Sequence, residues 1–253
     1  MSYVGSVQKR LRHGQGTYTF PGGYYKYTGE WHHGKMHGHG IFFLGDGSTY
    51  EGNFVDGEIQ GSGLRRWPDG TTYSGEFFRG EMHGEGALIA SSGKKYEGSW
   101  RDNQYSGYGE LVEPDGMTYE GTFERHKPHG LGKKVYVWLC TLFCERLECV
   151  QSPSFADKCV YEGMWSDGLS HGQGRWVSPD GASYEGSWAH GLRHGPGKAK
   201  WTTGLLYDGN WTHNIRDKIT KCFAITRLAM DGTTPDEAPL VFREEPPPAP
   251  PVP

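Results

Sequence analysis

A tyrosine returns along this chain as Tyr3, Tyr27, Tyr50, Tyr73, Tyr96, Tyr119, Tyr161, Tyr184 and Tyr207, and a glycine follows two residues later every time. Most intervals are 23 residues, the first is 24, and the one after Tyr119 is 42. A chain with such a period builds copies of one small unit, each resting on its neighbours, instead of wrapping around a single centre. Eight complete units and a partial ninth fall in the register.

Within a unit the order is Tyr-x-Gly-x-aromatic, a short polar loop, His-Gly-x-Gly, and a stretch that ends in glycine. In YTGEWHHGKMHGHGIFFLGDGST, Tyr27, Gly29 and Trp31 alternate with Thr28 and Glu30. A strand places the first three on one face and the polar pair on the other. The second strand follows the paired glycines. It closes in Pro68-Asp69-Gly70, Pro114-Asp115-Gly116 and Pro179-Asp180-Gly181, where proline presets φ and glycine accepts the left-handed end of a tight turn. Two short strands per unit joined by tight turns predict an all-β fold: an elongated, curved, single-layer antiparallel meander of tandem hairpins, growing by roughly 10 Å per unit. Composition agrees. Forty glycines and 14% aromatic residues against 35% hydrophobic residues leave few aliphatic side chains for a thick interior, so burial must come from rings.

These residues resemble the MORN repeat (membrane occupation and recognition nexus), with pattern YxGxWxxGxxHGxG. The stretch Tyr184 to Gly197 matches it at every defined position, while Gln60 and Ser106 stand where other units carry histidine. The resemblance covers residues 3–218, with an insertion at about 138–156. A C-terminal cap or appended segment is expected over 219–245, and a proline-rich, extended tail over 246–253. The resemblance implies arrays that bridge membranes, build cytoskeletal and ciliary or flagellar scaffolds, or accompany catalytic domains that this chain has no room for.

No catalytic constellation stands out, and no cofactor is expected. Gly195-Pro196-Gly197-Lys198 lacks the earlier glycine of a phosphate loop, since Leu192 stands there, and Ala199 replaces the hydroxyl that would hold magnesium. His13, His37, His83, His129, His171 and His194 share one repeat position, but neighbouring copies should lie roughly 10 Å apart, too far to ligate one zinc ion. They are expected to support the local loop. The insertion region holds Cys140, Cys144, Cys149 and Cys159, whose spacings match no strong zinc motif. No metal site is expected.

The formal net charge of −4 argues against nucleic acid, which asks for a basic stripe. No apolar run reaches the roughly 20 residues of a membrane-spanning helix, and the first residues lack the apolar core of a secretory signal, so a cytoplasmic chain is expected. The resemblance adds the cytoskeleton or a cilium or flagellum. The function expected is a non-catalytic scaffold or docking module for a protein partner, either an extended peptide or an amphipathic helix. A groove of register aromatics would receive it: Trp31, Phe54, Phe77, Trp100, Phe123, Trp165, Trp188 and Trp211. Unpaired strand edges at the two ends of a meander allow a homodimer. The alternative is a peripheral module for anionic phospholipids, disfavoured because Lys94-Lys95, Lys133-Lys134 and Arg65-Arg66 are isolated pairs among many carboxylates.

Overall fold

The computed structural model describes residues 1–138, 157–216 and 222–224. The insertion beyond Trp138, the proline-rich tail and most of 219–245 lie outside the described residues. The chain divides into two compact units, Met1–Lys127 and Pro128–Pro253. Every described strand is β and every pairing antiparallel. Unit 1 carries eleven strands, from Ser2–Gln8 to Thr118–Glu124; the strands of unit 2 run from Lys127–Trp138 to Cys222–Ala224. Each is a meander of hairpins in which a strand pairs with the strands before and after it. The strand Cys222–Ala224 pairs with Leu205–Thr212, placing Phe223 opposite Leu206.

The repeating element is well seen in the strands Lys26–His32 and Lys35–Phe43. Their connection is His33-Gly34, with φ of 47° and 85°. Two successive positive φ values define the hairpin turn whose twist matches that of the strands. The same turn recurs at Asp56-Gly57 and Asp167-Gly168, and where glycine is absent the second place is taken by Arg10, Asn103, His126 or Asn214. Across the hairpin Tyr27 faces Phe42, Gly29 faces Gly40, and Trp31 faces Met36. Between the last two pairs one strand advances by two residues and the other by four, so His37, Gly38 and His39 form a bulge, with Gly38 at φ 61°.

The paired glycines exist for the tyrosine. The Tyr27 ring lies across both strands and its hydroxyl donates to the Glu30 carbonyl at 2.9 Å. A Cβ on Gly40 would stand 2.5 Å from the Tyr27 ring carbons, and one on Gly29 would stand 2.5 Å from the Gly40 Cα. The hydroxyl bond to the third residue onward recurs at Tyr50, Tyr73, Tyr96, Tyr119, Tyr161, Tyr184 and Tyr207.

Tyr27, Tyr50, Tyr73, Tyr96, Tyr161 and Tyr184 each then meet two aromatic rings edge to face. Tyr27 contacts Trp31 of its own strand at 5.1 Å and Phe54 of the next hairpin at 4.9 Å, and Tyr50 contacts Phe54 at 5.3 Å and Phe77 at 5.0 Å. In unit 1 this alternation runs on through Tyr73, Trp100, Tyr96, Phe123 and Tyr119. Unit 2 has its own run, from Trp165 and Tyr161 through Trp188 and Tyr184 to Trp211 and Tyr207. Edge-to-face pairs contribute about 0.5–1.5 kcal/mol each beyond the area they bury. Where the second ring is tryptophan, its indole N–H also donates to a glycine carbonyl of the preceding hairpin: Trp31 to Gly16 at 3.0 Å, Trp100 to Gly86 at 3.0 Å, Trp188 to Gly174 at 3.1 Å.

Two glycines with different duties should respond differently to substitution. Gly63→Ala places a methyl 2.5 Å from the Tyr50 ring and should lower unfolding free energy by about 1–3 kcal/mol. Gly80→Asn, at a hairpin position with φ 85° and open space around it, should stay within about 0.5 kcal/mol in the same urea titration.

Candidate functional site

The eight register aromatics expected to line a partner groove are only 1–4% exposed. Trp31, Phe54, Phe77, Trp100, Phe123, Trp188 and Trp211 are each wedged between two tyrosine rings, and Trp165 packs on Tyr161, so their surface is spent on the sheet itself. The expectation is corrected accordingly: these rings form the bed of the face, and what stands beside them forms its surface.

In unit 1 the residues beside them follow from the register. Opposite the aromatic position stand Met36, Ile59 and Met82, and opposite the tyrosine position stand Phe42, Arg65 and Leu88. Directly paired residues share a face of a sheet, so all six lie on the ring face. All six are half-buried, as are Phe20, Leu44 and Trp67 at the ends of the second strands. Aromatic contacts crowd one end of this face, where Phe42 lies 6.0 Å from Phe20 and stacks at 6.1 Å on Tyr25. The cations on it are held. Arg12 sits 4.2 Å over the Trp31 ring and donates to the Gly34 carbonyl, and Arg65 lies 4.8 Å over Trp67 and 3.5 Å from Asp46. The Asp46 carboxyl is held below the usual carboxylate range, first by hydrogen bonds from Ser48, while Arg65 adds to the effect.

The same rows in unit 2 are closed. Ser170, Trp176, Arg193, Ala199 and Trp201 are all buried. The Arg193 guanidinium stacks 4.5 Å over Trp211, and burial pushes its pKa down to about 10 although Tyr184 acts the other way. The Asn214 side-chain oxygen accepts hydrogen bonds from the Arg193 backbone N–H and the Arg193 Nε.

The opposite faces differ in charge. In unit 2 the cross-strand neighbours Lys133, Glu162, Arg175, Glu185, Lys198 and Asp208 alternate in sign, with Lys198 3.4 Å from Asp208. In unit 1 the same row ends in Glu97, Glu110 and Glu120, which are direct neighbours and all exposed. Like charges placed opposite one another repel, and the Tyr108 hydroxyl relieves part of this by donating to Glu120 at 2.6 Å.

The repeat-position histidines lie beside the bulge. Nδ1 of His13, His37 and His171 is buried without a hydrogen-bond partner among the described residues, so these rings support the loop by packing. What the repeat reading passed over is the pair His32-His33 at one hairpin tip; its signal was only a departure from the tips of other units. Of the insertion cysteines, Cys159 is buried, and Cys140, Cys144 and Cys149 lie outside the described residues.

A family model described as MORN repeat matches residues 3–23, 27–49, 50–72, 73–95, 96–118, 119–141, 161–183 and 184–205. Among solved structures, the chain is similar to the SAS-4 TCP domain of Drosophila melanogaster, solved in complex with a proline-rich motif of Ana2. The identity is 12%, the TM-score 0.37, and the match covers 69% of this chain and 85% of that one.

Burial pushes Tyr27, Tyr50, Tyr73, Tyr96, Tyr119, Tyr161 and Tyr184 up, Tyr50 and Tyr184 to about 12. A phenol in the unfolded chain titrates near 10. Their contribution to stability is therefore complete below about pH 10 and is lost as pH rises through 12. Phenolate absorbance and far-ultraviolet circular dichroism should change together above about pH 10; phenolate formation well before the loss of β signal would contradict this.

Proposed function

Since this chain belongs to the MORN repeat family, whose model matches it eight times across residues 3–205, we propose that it acts as a non-catalytic scaffold that docks a protein partner on the ring face of unit 1. The observation that carries this reading is the contrast between the two units. The rows are half-open at Met36, Phe42, Ile59, Met82 and Leu88 in unit 1, closing at its Tyr105 and Leu111, whereas Ser170, Trp176, Arg193 and Ala199 of the same rows in unit 2 are all buried.

The partner chemistry follows from spacing and side-chain type. Equivalent side chains on successive hairpins are two strands, about 9.6 Å, apart. A helix crossing the strands repeats every seventh residue after about 10.5 Å, so an amphipathic helix with apolar residues at that interval meets successive hairpins with like contacts. Methionine, isoleucine and leucine favour such a helix because flexible aliphatic chains adapt to its ridges. The rigid rings beneath keep these side chains from sinking, which lowers the ordering cost of binding.

Anionic lipid is the other reading. The exposed row Glu97, Glu110 and Glu120 on the opposite face and the internally engaged Arg12 and Arg65 weigh against it. The place of action proposed is the cytoplasm, at cytoskeletal or ciliary structures, and it rests on the family alone.

The test is selection from a display library of helical peptides against the purified full chain. Peptides with apolar residues at seven-residue intervals should be enriched, and Met36→Glu with Met82→Glu should weaken them at least tenfold, about 1.4 kcal/mol, with the β signal unchanged. Flotation with phosphatidylserine liposomes that persists at about 0.15 M salt, without peptide enrichment, would replace this reading with the lipid one.

A further inference from the structure

We propose that the first two hairpins hold a site for a divalent transition-metal ion of the zinc class, centred on His32 and completed from His13, His33 and His37. The inference is independent of the docking reading. Four imidazoles, from three strands and one hairpin tip, decide the local chemistry.

His32 is the hub. Its ring centroid lies 5.4 Å from that of His13, 5.3 Å from that of His37 and 4.1 Å from that of His33, and His13 lies 5.8 Å from His33. Two imidazoles bound to one tetrahedral zinc ion, with each nitrogen about 2.0 Å from the metal, have centroids about 5 Å apart. The backbone thus already brings three of the four pairs near the separation a shared ion requires. The repeat explains how: His13 and His37 are copies of one bulge position on neighbouring hairpins, and the strand Lys26–His32 runs between them. The gap that keeps successive repeat histidines from sharing an ion is filled here by His32.

Only this tip has the pair. The corresponding positions elsewhere are Gln8-Lys9, Val55-Asp56, Phe78-Arg79, Arg101-Asp102, Glu124-Arg125, Ser166-Asp167, Ala189-His190 and Thr212-His213. Unit 2 accordingly shows no more than pairs, His171 with His190 at 5.5 Å and His194 with His213 at 5.3 Å.

One feature suits a cation. Nδ1 of His13 and of His37 is buried without a hydrogen-bond partner among the described residues, leaving a lone pair or N–H uncommitted on each ring. The rings as they stand do not surround one point. Closing them needs side-chain rotation of His32 and His33, both exposed at a hairpin tip.

The probe is Zn2+ titrated calorimetrically into the full chain after chelator treatment, with Co2+ absorption as a second readout. One equivalent is expected, with nitrogen-ligand d–d bands for Co2+. His32→Asn should weaken binding at least tenfold and abolish those bands. His33→Asn, which keeps a residue suited to the left-handed turn, should weaken it less, and His190→Asn should change nothing. Circular dichroism confirms that each variant keeps its sheet. Absence of binding overturns the proposal. So does zinc that remains on the His32→Asn chain, which would place it on the cysteines, or binding lost equally with His190→Asn, which would mark scattered histidine pairs.

Discussion

A tyrosine ring laid flat on two glycines is the contact on which the rest of this protein depends. A single-layer sheet has no second layer to pack against, so its apolar surface must be buried within the layer. Tyr27 covering Gly29 and Gly40 does this by removing the side chains that would hold the ring away, and the hydroxyl bond to the Glu30 carbonyl fixes its direction. Once the ring lies down, its edge and face are presented to Trp31 and Phe54, and the sheet continues by ring contact as well as by its ladder of hydrogen bonds.

This economy has a consequence for recognition. Rings placed to close the layer are consumed by it, which is why the most conspicuous side chains of the repeat make a floor. The positions that vary from copy to copy, such as Met36, Ile59 and Met82 or Ser170 and Arg193, carry the individuality of each unit. In unit 1 they leave a half-open apolar strip; in unit 2 Arg193 and Trp176 are buried. The half-open strip and the histidine cluster both arise from variable positions on an unvarying frame.

The hairpins were legible because their causes are local. Alternation of Tyr27, Gly29 and Trp31 marks a strand face, and Pro-Asp-Gly marks a turn whatever surrounds it. The bulge at His37 to His39 was less legible: Gly38 and Gly40 look alike in the pattern, yet one supplies a left-handed φ and the other yields space to a ring. The burial of Trp100 and Phe123 was missed for a related reason. Periodicity tells which face a ring is on but not whether that face is filled, and filling depended on a tyrosine from the preceding hairpin.

By itself, then, the sequence determined the repeat, its antiparallel hairpins and the family, since each follows from spacing within about 23 residues. Only the tertiary structure decided which apolar residues stay half-exposed, and which histidines meet. Those outcomes turn on cross-strand register between hairpins, where His13, His32 and His37 come together from three strands. A separation of two strands is a distance in space that no interval along the chain expresses.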